Sequence, residues 1–203
     1  KMQGNKKMRE YFSSLDPNET SQKEIENFMR GLLQDYALEV AGVKFAFAEI
    51  EICTNADKNT YKRTSSAGDI FFHNFGFDIC FNSSEEAYGG VLVRSLWPLE
   101  GAEPIVGPRR CANAILNISA PNLSFCLLET GENSQEAAEF SCRVRRADLD
   151  ASGERVNERR RLTSSKFESW LESGEKEAEK YKKAINKYKD GAENEKSTPN
   201  QAN

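Results

Sequence analysis

The stretch VKFAFAEIEIC, Val43 to Cys53, decides how the rest of the chain is read. Val43, Phe45 and Phe47 alternate with Lys44, Ala46 and Ala48, the period of two that marks a strand with one face on a core. Extended without interruption, the alternation carries Glu49 and Glu51 onto the face of the phenylalanines, with backbones roughly 7 Å apart. An ionised carboxylate on an apolar face is costly unless a cation pairs with it or a reaction uses it. At a fraying strand end the same residues are simply solvated, and the stretch alone leaves both readings open.

Arg94 supplies the cation. In VLVRSL it lies mid-strand between apolar neighbours, where an arginine is expensive unless it meets a carboxylate. Asn82, closing the apolar DICFN, adds an amide at another strand end. A carboxylate, a guanidinium and an amide so placed either position a water or make a structural ion pair.

Upstream, LDPNETSQKEIENFMRGLLQDYAL offers two helix starts, Asp16 before Pro17 with Glu19, and Ser21 with Glu24. Ile25, Phe28, Met29, Leu32, Leu33 and Tyr36 follow at helical spacing. Ala41 and Gly42 form a turn into the strand, and Thr54 to Gly68 reads as loop. DIFFHNFGFDICFN is strand-like with a bend at Gly76, and YGGVLVRSLWPLEG is a strand ended by Pro98 and Gly101. GPRRCANAILNI is a short helix, LSFCLLET and AEFSCRVRRADL are further strands. From Thr163 a long charged helix carries Phe167, Trp170, Leu171, Ala178, Tyr181, Ile185 and Tyr188 on one face, before a polar tail.

With 203 residues the chain suits one domain plus an extension: a core domain over 18–163, then an amphipathic helix and polar tail over 164–203. A net charge of −4 opposes wholesale electrostatic binding to nucleic acid or anionic membrane, but leaves room for a local basic patch. No apolar run approaches the roughly 20 residues of a membrane span, and KMQGNKKMREYF lacks a signal-peptide apolar region. A cytoplasmic, nucleoid or nuclear location is expected, with export open because a removed leader would leave no trace. Cys53, Cys80, Cys111, Cys126 and Cys142 are widely spaced around a single histidine, His73, so neither a zinc site nor a disulfide framework is expected, and no cofactor.

Among Phe71, Phe72, Phe75 and Phe77, alternation puts Phe71, Phe75 and Phe77 on one side and Phe72 on the other, unless Gly76 breaks the register. Most such aromatics are core. Phe75, however, next to Gly76 and close to His73 and Asn74, suits an exposed hairpin tip, the kind of aromatic that wedges between bases or stacks on one. His73 alone reads as a surface histidine or one with its hydrogen bonds satisfied, rather than a catalytic one, and Cys53 as a small apolar filler. Arg109-Arg110, Arg143-Arg145-Arg146 and Arg159-Arg160-Arg161 are solvated or contact phosphates.

Four segments in order, AEIEIC, GDIFFHNFGFDICFN, GGVLVRSLWPLEG and GPRRCANAI, resemble the alkyladenine (3-methyladenine) DNA glycosylases over about Phe28 to Leu149. That family shows a V-E-T-E-A-Y strand, a Y-V-Y-x-x-Y-G-x-x-x-C-x-N hairpin, an L-x-R-A-L-E-P-L-E-G strand and a G-P-x-x-L-x-x-A-L segment. The most specific matches are Gly76, Cys80 and Asn82, and Arg94 with Pro98-Leu99-Glu100-Gly101.

The resemblance implies an α+β domain on a curved, mainly antiparallel sheet, binding double-stranded DNA and hydrolysing the N-glycosidic bond of a modified purine without a metal. By position Glu51 matches the general base, and Arg94 and Asn82 match the residues that hold the attacking water. Phe72 matches one wall of the base pocket and Phe75 the intercalating wedge. Arg109 and Arg110 are the expected phosphate contacts. Cys53 stands where the family has its stacking tyrosine, the loop after Glu51 has no histidine, with Tyr61 or Lys62 in that region, and the family's G-R-T-x-R-N-x-x-M-F run is missing. These departures leave two rivals, a family-fold binding module without catalysis, with residues 164–190 as a protein-contact helix, and a hydrolase of a small N-glycoside.

Overall fold

The computed structural model describes residues 2–19, 21–57, 59–131 and 160–183. Along the chain run β1 (Met2–Gln3), α1 (Lys6–Phe12), α2 (Gln22–Asp35), β2 (Tyr36–Val40), β3 (Val43–Thr54), β4 (Asp69–His73), β5 (Gly76–Cys80) and β6 (Gly89–Pro98). They continue as β7 (Ile105–Val106), α3 (Pro108–Leu116), β8 (Phe125–Glu129), β9 (Arg160–Thr163), α4 (Ser165–Leu171) and α5 (176–183). The result is an α+β fold on one mostly antiparallel sheet in the order β1-β4-β5-β6-β3-β2-β8, with β7 added to β6 and β9 to β3. A bridge between Gly4 and Phe125, with Asn5 N–H donating to the Phe125 carbonyl at 2.9 Å, brings the two ends of the sheet together and nearly closes it. No helix among the described residues is long and apolar enough to cross a membrane.

Ser21 starts α2, its hydroxyl accepting from Glu24 N–H at 3.4 Å, and Ile25, Phe28, Met29, Leu32 and Leu33 are buried. Asp16 makes only a local turn, accepting from Asn18 N–H. Tyr36, expected to complete the helical stripe, instead opens β2, where it pairs with Glu129 of β8. Ala41 and Gly42, at φ of 48° and 87°, turn β2 into β3. Met8 and Phe12 of α1 are fully buried in the main core, so residues before the expected boundary at 18 belong to the same unit.

The β4–β5 hairpin pairs Phe72 with Phe77 and His73 with Gly76, leaving Asn74 and Phe75 as its tip. Chain reversal therefore places Phe77 with Phe72, correcting the grouping with Phe71 that simple alternation gives. A Cβ on Gly76 would meet Pro108 Cβ at 2.8 Å, so only glycine lets the start of α3 lie directly against the hairpin.

The long helix expected after Thr163 is two helices. α4 is capped by Ser164, whose hydroxyl accepts from Phe167 N–H, and Gly174 at φ 77° lies in the break before α5. Phe167, Trp170, Leu171 and Ala178 join Ala46, Ala48, Trp97 and Val106 in a second apolar cluster, so α4 and α5 pack on the sheet. The expected strand AEFSCRVRRADL, Cys142, the clusters at Arg143 to Arg146 and Arg159, Ile185, Tyr188 and the polar tail lie outside the described residues.

Candidate functional site

The main core takes Phe45, Phe47, Ile50 and Ile52 of β3, whereas Ala46 and Ala48 belong to the cluster on the opposite face. Inward residues are thus two apart until Phe47, then three apart to Ile50. The cause is in the β3–β6 register, which runs Phe47 with Leu96, Glu49 with Ser95 and Ile50 with Val93, with shifts on both sides of Glu49. One residue of each strand, Ala48 and Arg94, is looped out of the ladder in facing bulges. Glu49 and Glu51 therefore point away from the phenylalanines, correcting the face that uninterrupted alternation assigns. Arg94 and Ser95 are turned to that same outer face. The bulged Arg94 carbonyl still accepts from Gly107 N–H at 2.9 Å, which ties the bulge to the start of α3.

On this outer face the charges meet. Arg94 Nη1 donates to Glu51 Oε2 at 3.1 Å, and Arg94 Nε lies 3.3 Å from Glu49 Oε1, a charge contact without hydrogen-bond alignment. Arg161, the direct β9 partner of Glu51, donates from Nε to the same Oε2. Glu49 accepts from Ser95 Oγ at 3.3 Å and from the Tyr181 hydroxyl of α5. The Cys53 thiol faces Glu51 Oε1 at 3.6 Å. Glu49, Glu51, Arg94 and Arg161 are all buried, Glu51 completely. Two carboxylates against two guanidiniums leave no net charge, the condition under which such burial is tolerated.

The electrostatics agree with the geometry. Burial works against the charge on Arg94, but Glu51 and Glu49 outweigh it and hold its pKa above the ordinary arginine value. Tyr181 is raised above the usual tyrosine value by burial first and by the Glu49 charge second, so its phenol remains a donor. Burial likewise pushes the Cys111 thiol up to about 12, where it donates to backbone carbonyls instead of acting as a nucleophile. Cys53, Cys80, Cys111 and Cys126 are free thiols.

Cross-strand register extends the outer face beyond this network. Arg161, Glu51, Leu92, Asp78 and Phe71 form one row across β9, β3, β6, β5 and β4, which puts Asp78 about 10 Å from Glu51 at two strand spacings. Asp78 is buried, paired with Arg63 Nη1 at 2.8 Å and with His73 Nε2 at 3.2 Å. His73 Nδ1 accepts from Phe75 N–H at 3.3 Å, so Nε2 carries the proton and donates to Asp78. The Tyr61 and Phe71 rings lie beside His73, at centroid distances of 5.0 and 5.9 Å. His73 is thus a brace for the hairpin tip, and Phe75 is 67% exposed at that tip.

The expected site residues separate into three groups. Glu51, Arg94 and Cys53 come together as described. Phe75, Arg109 and Arg110 share another region, because Gly76 rests on Pro108 at the start of α3; both arginines are exposed, and Arg110 lies 3.6 Å from Glu177 of α5. Asn82 and Phe72 fall elsewhere. Asn82 Oδ1 accepts from Ala67 N–H at 2.9 Å and fixes the loop ahead of β4. Phe72 packs on Phe77 and Phe125 against the main core, on the face away from Glu51.

Sequence reasoning missed Asp78, Arg63, Arg161 and Tyr181. A lone acid inside GFDIC carries the signal that singled out Arg94, and would have found Asp78. Arg161 was hidden among neighbouring arginines, and Tyr181 reads as one more apolar position of a helix. Comparison of the chain with family models, with curated proteins and with solved structures finds no match.

Proposed function

We propose that this chain binds double-stranded DNA through the Phe75 hairpin and the first turn of α3, and hydrolyses the N-glycosidic bond of a modified purine on an alkyladenine glycosylase-like fold. The carrying observation is the contact of Glu51 with Arg94, 3.1 Å apart on one sheet face. In this reading Glu51 takes a proton from water as the glycosidic bond breaks. Beside it, Arg161 Nη2 is buried without a hydrogen-bond partner among the described residues, and a donor left open next to a carboxylate suits a bound water or a substrate oxygen. Phe75 enters the duplex as a wedge while Arg109 and Arg110 take phosphates, because chemistry on a base requires it out of the stack.

A second reading, binding without turnover, is favoured by a different observation: Glu51 is completely buried, and neither Phe72 nor Cys53 offers it an aromatic wall. Single-turnover incubation with duplexes carrying hypoxanthine, ethenoadenine or a methylated purine separates the two. Abasic sites formed by the wild type and absent with Glu51→Gln support hydrolysis. Glu51→Gln also leaves Arg94 and Arg161 facing an amide, so circular dichroism must show the variant folded. Duplex binding that is lost in Phe75→Ala, with no abasic product at high protein concentration, selects the binding module and sinks hydrolysis.

A further inference from the structure

We infer that α5 is an autoinhibitory strap, which occupies the phosphate-binding ground of α3 and seals the carboxylate network until a polyanion displaces it. The inference rests on the proposed function for its purpose, but its geometry stands independently. Besides its ties to α4, where Tyr181 packs on Phe167 and Lys182 bonds Glu172 at 2.6 Å, α5 meets the sheet and α3 through three contacts. Its Tyr181 hydroxyl reaches Glu49, its Ala178 is fully buried against the outer-face cluster, and its Glu177 takes Arg110 at 3.6 Å. The last of these is decisive for regulation, because a carboxylate of the strap sits on a guanidinium expected to hold a phosphate. Nucleic acid and α5 would therefore compete for one group.

The seam between strap and body is open to solvent along one side. A groove of about 840 Å³ runs along it, with Pro104, Val106, Arg110 and the α4 residue Trp170 on the body side and Glu177 and Tyr181 on the strap. α4, in contrast, is anchored by the buried Phe167, Trp170 and Leu171. The break around Gly174, in the left-handed region at φ 77°, is the natural pivot between an anchored α4 and a detachable α5. Lifting α5 removes the phenol from Glu49 and opens the Glu49 end of the network to solvent.

The test compares wild type with Ala178→Glu, which cannot fit against the cluster, and with Glu177→Lys, which turns the Arg110 contact repulsive. Two readouts need no catalysis: hydrogen exchange over residues 176–183, and modification of Glu49 by a water-soluble carbodiimide followed by mass spectrometry. The expected result is at least tenfold faster exchange and at least tenfold faster Glu49 labelling in Ala178→Glu, a smaller rise in Glu177→Lys, and unchanged exchange in β3 and β6. A saturating plain duplex should reproduce the faster exchange in the wild type at low salt, and lose that effect at high salt. Unchanged exchange and labelling in both variants would overturn the strap as a detachable element. Duplex binding with α5 protection unaltered would overturn its displacement by DNA. If the variants expose Glu49 but no protein form yields abasic sites, the strap stands and the hydrolytic function falls.

Discussion

On the inner face of the β3–β6 ladder, Phe47, Ile50, Val91 and Val93 are buried among hydrocarbon side chains; on its outer face, Glu49, Glu51, Arg94 and Ser95 are buried just as deeply among charges and hydroxyls. The two faces share one backbone and differ in what holds them. Inner residues are stabilised by non-directional burial, which tolerates swaps that conserve volume. Outer residues depend on directional pairs, so losing one member strands the other in a dry site. The facing bulges keep these chemistries apart: without them Glu49 and Glu51 would lie among the phenylalanines.

Four single variants, one of them extended by a second substitution, sharpen or break this contrast. Phe47→Ala should have the largest effect, about 4 kcal/mol lost in urea unfolding, since a large buried ring leaves a cavity. A loss under about 1 kcal/mol would mean that the inner face is not tightly packed. Arg161→Met should cost about 3 kcal/mol by leaving Glu51 short of one guanidinium, and adding Glu51→Leu should recover much of it. If the double variant is simply the sum of two independent losses, the outer face is not organised as pairs.

Tyr181→Phe should cost about 1 kcal/mol, the scale of one hydrogen bond. It also carries a pH signature. Because the folded-state pKa of Tyr181 is raised, its contribution is fully present below the ordinary tyrosine value of about 10 and declines as pH rises above it. Tyr11, raised chiefly by burial, behaves likewise, so the measurement is the difference between wild type and Tyr181→Phe from pH 9 upward. That difference should shrink as pH rises, and a constant difference would remove Tyr181 from the buried network. Phe75→Ala should be smallest, within about 0.5 kcal/mol because the ring is exposed, yet it should abolish duplex retention in a gel-shift assay. A Phe75→Ala protein that binds DNA like the wild type would remove the hairpin tip from the interface.

Much of the fold could be read from local pattern. Ser21 with Glu24 was one of two starts offered for α2, Gly76 marked the hairpin, and GPRRCANAILNI read as the short helix α3, because caps, turns and glycine requirements are set by neighbours in the chain. The pairing of Arg94 with a carboxylate followed from its residue type, since a guanidinium amid valine and leucine has few other solutions. The candidate site was legible only in part. Phe72 was misplaced because the resemblance gives its position in a motif, while the hairpin register gives the face on which it lands.

The sequence by itself determined that two glutamates and an arginine would stand in strands beside apolar residues, and that they would need one another. Tertiary structure decided which face holds them and what completes them. A bulge depends on the partner strand as much as on its own, so nothing in VKFAFAEIEIC announces it. Arg161 lies 110 residues from Glu51, and Tyr181 lies 132 from Glu49. Contacts at such separations follow from sheet register and helix docking, which the period of a single segment does not contain.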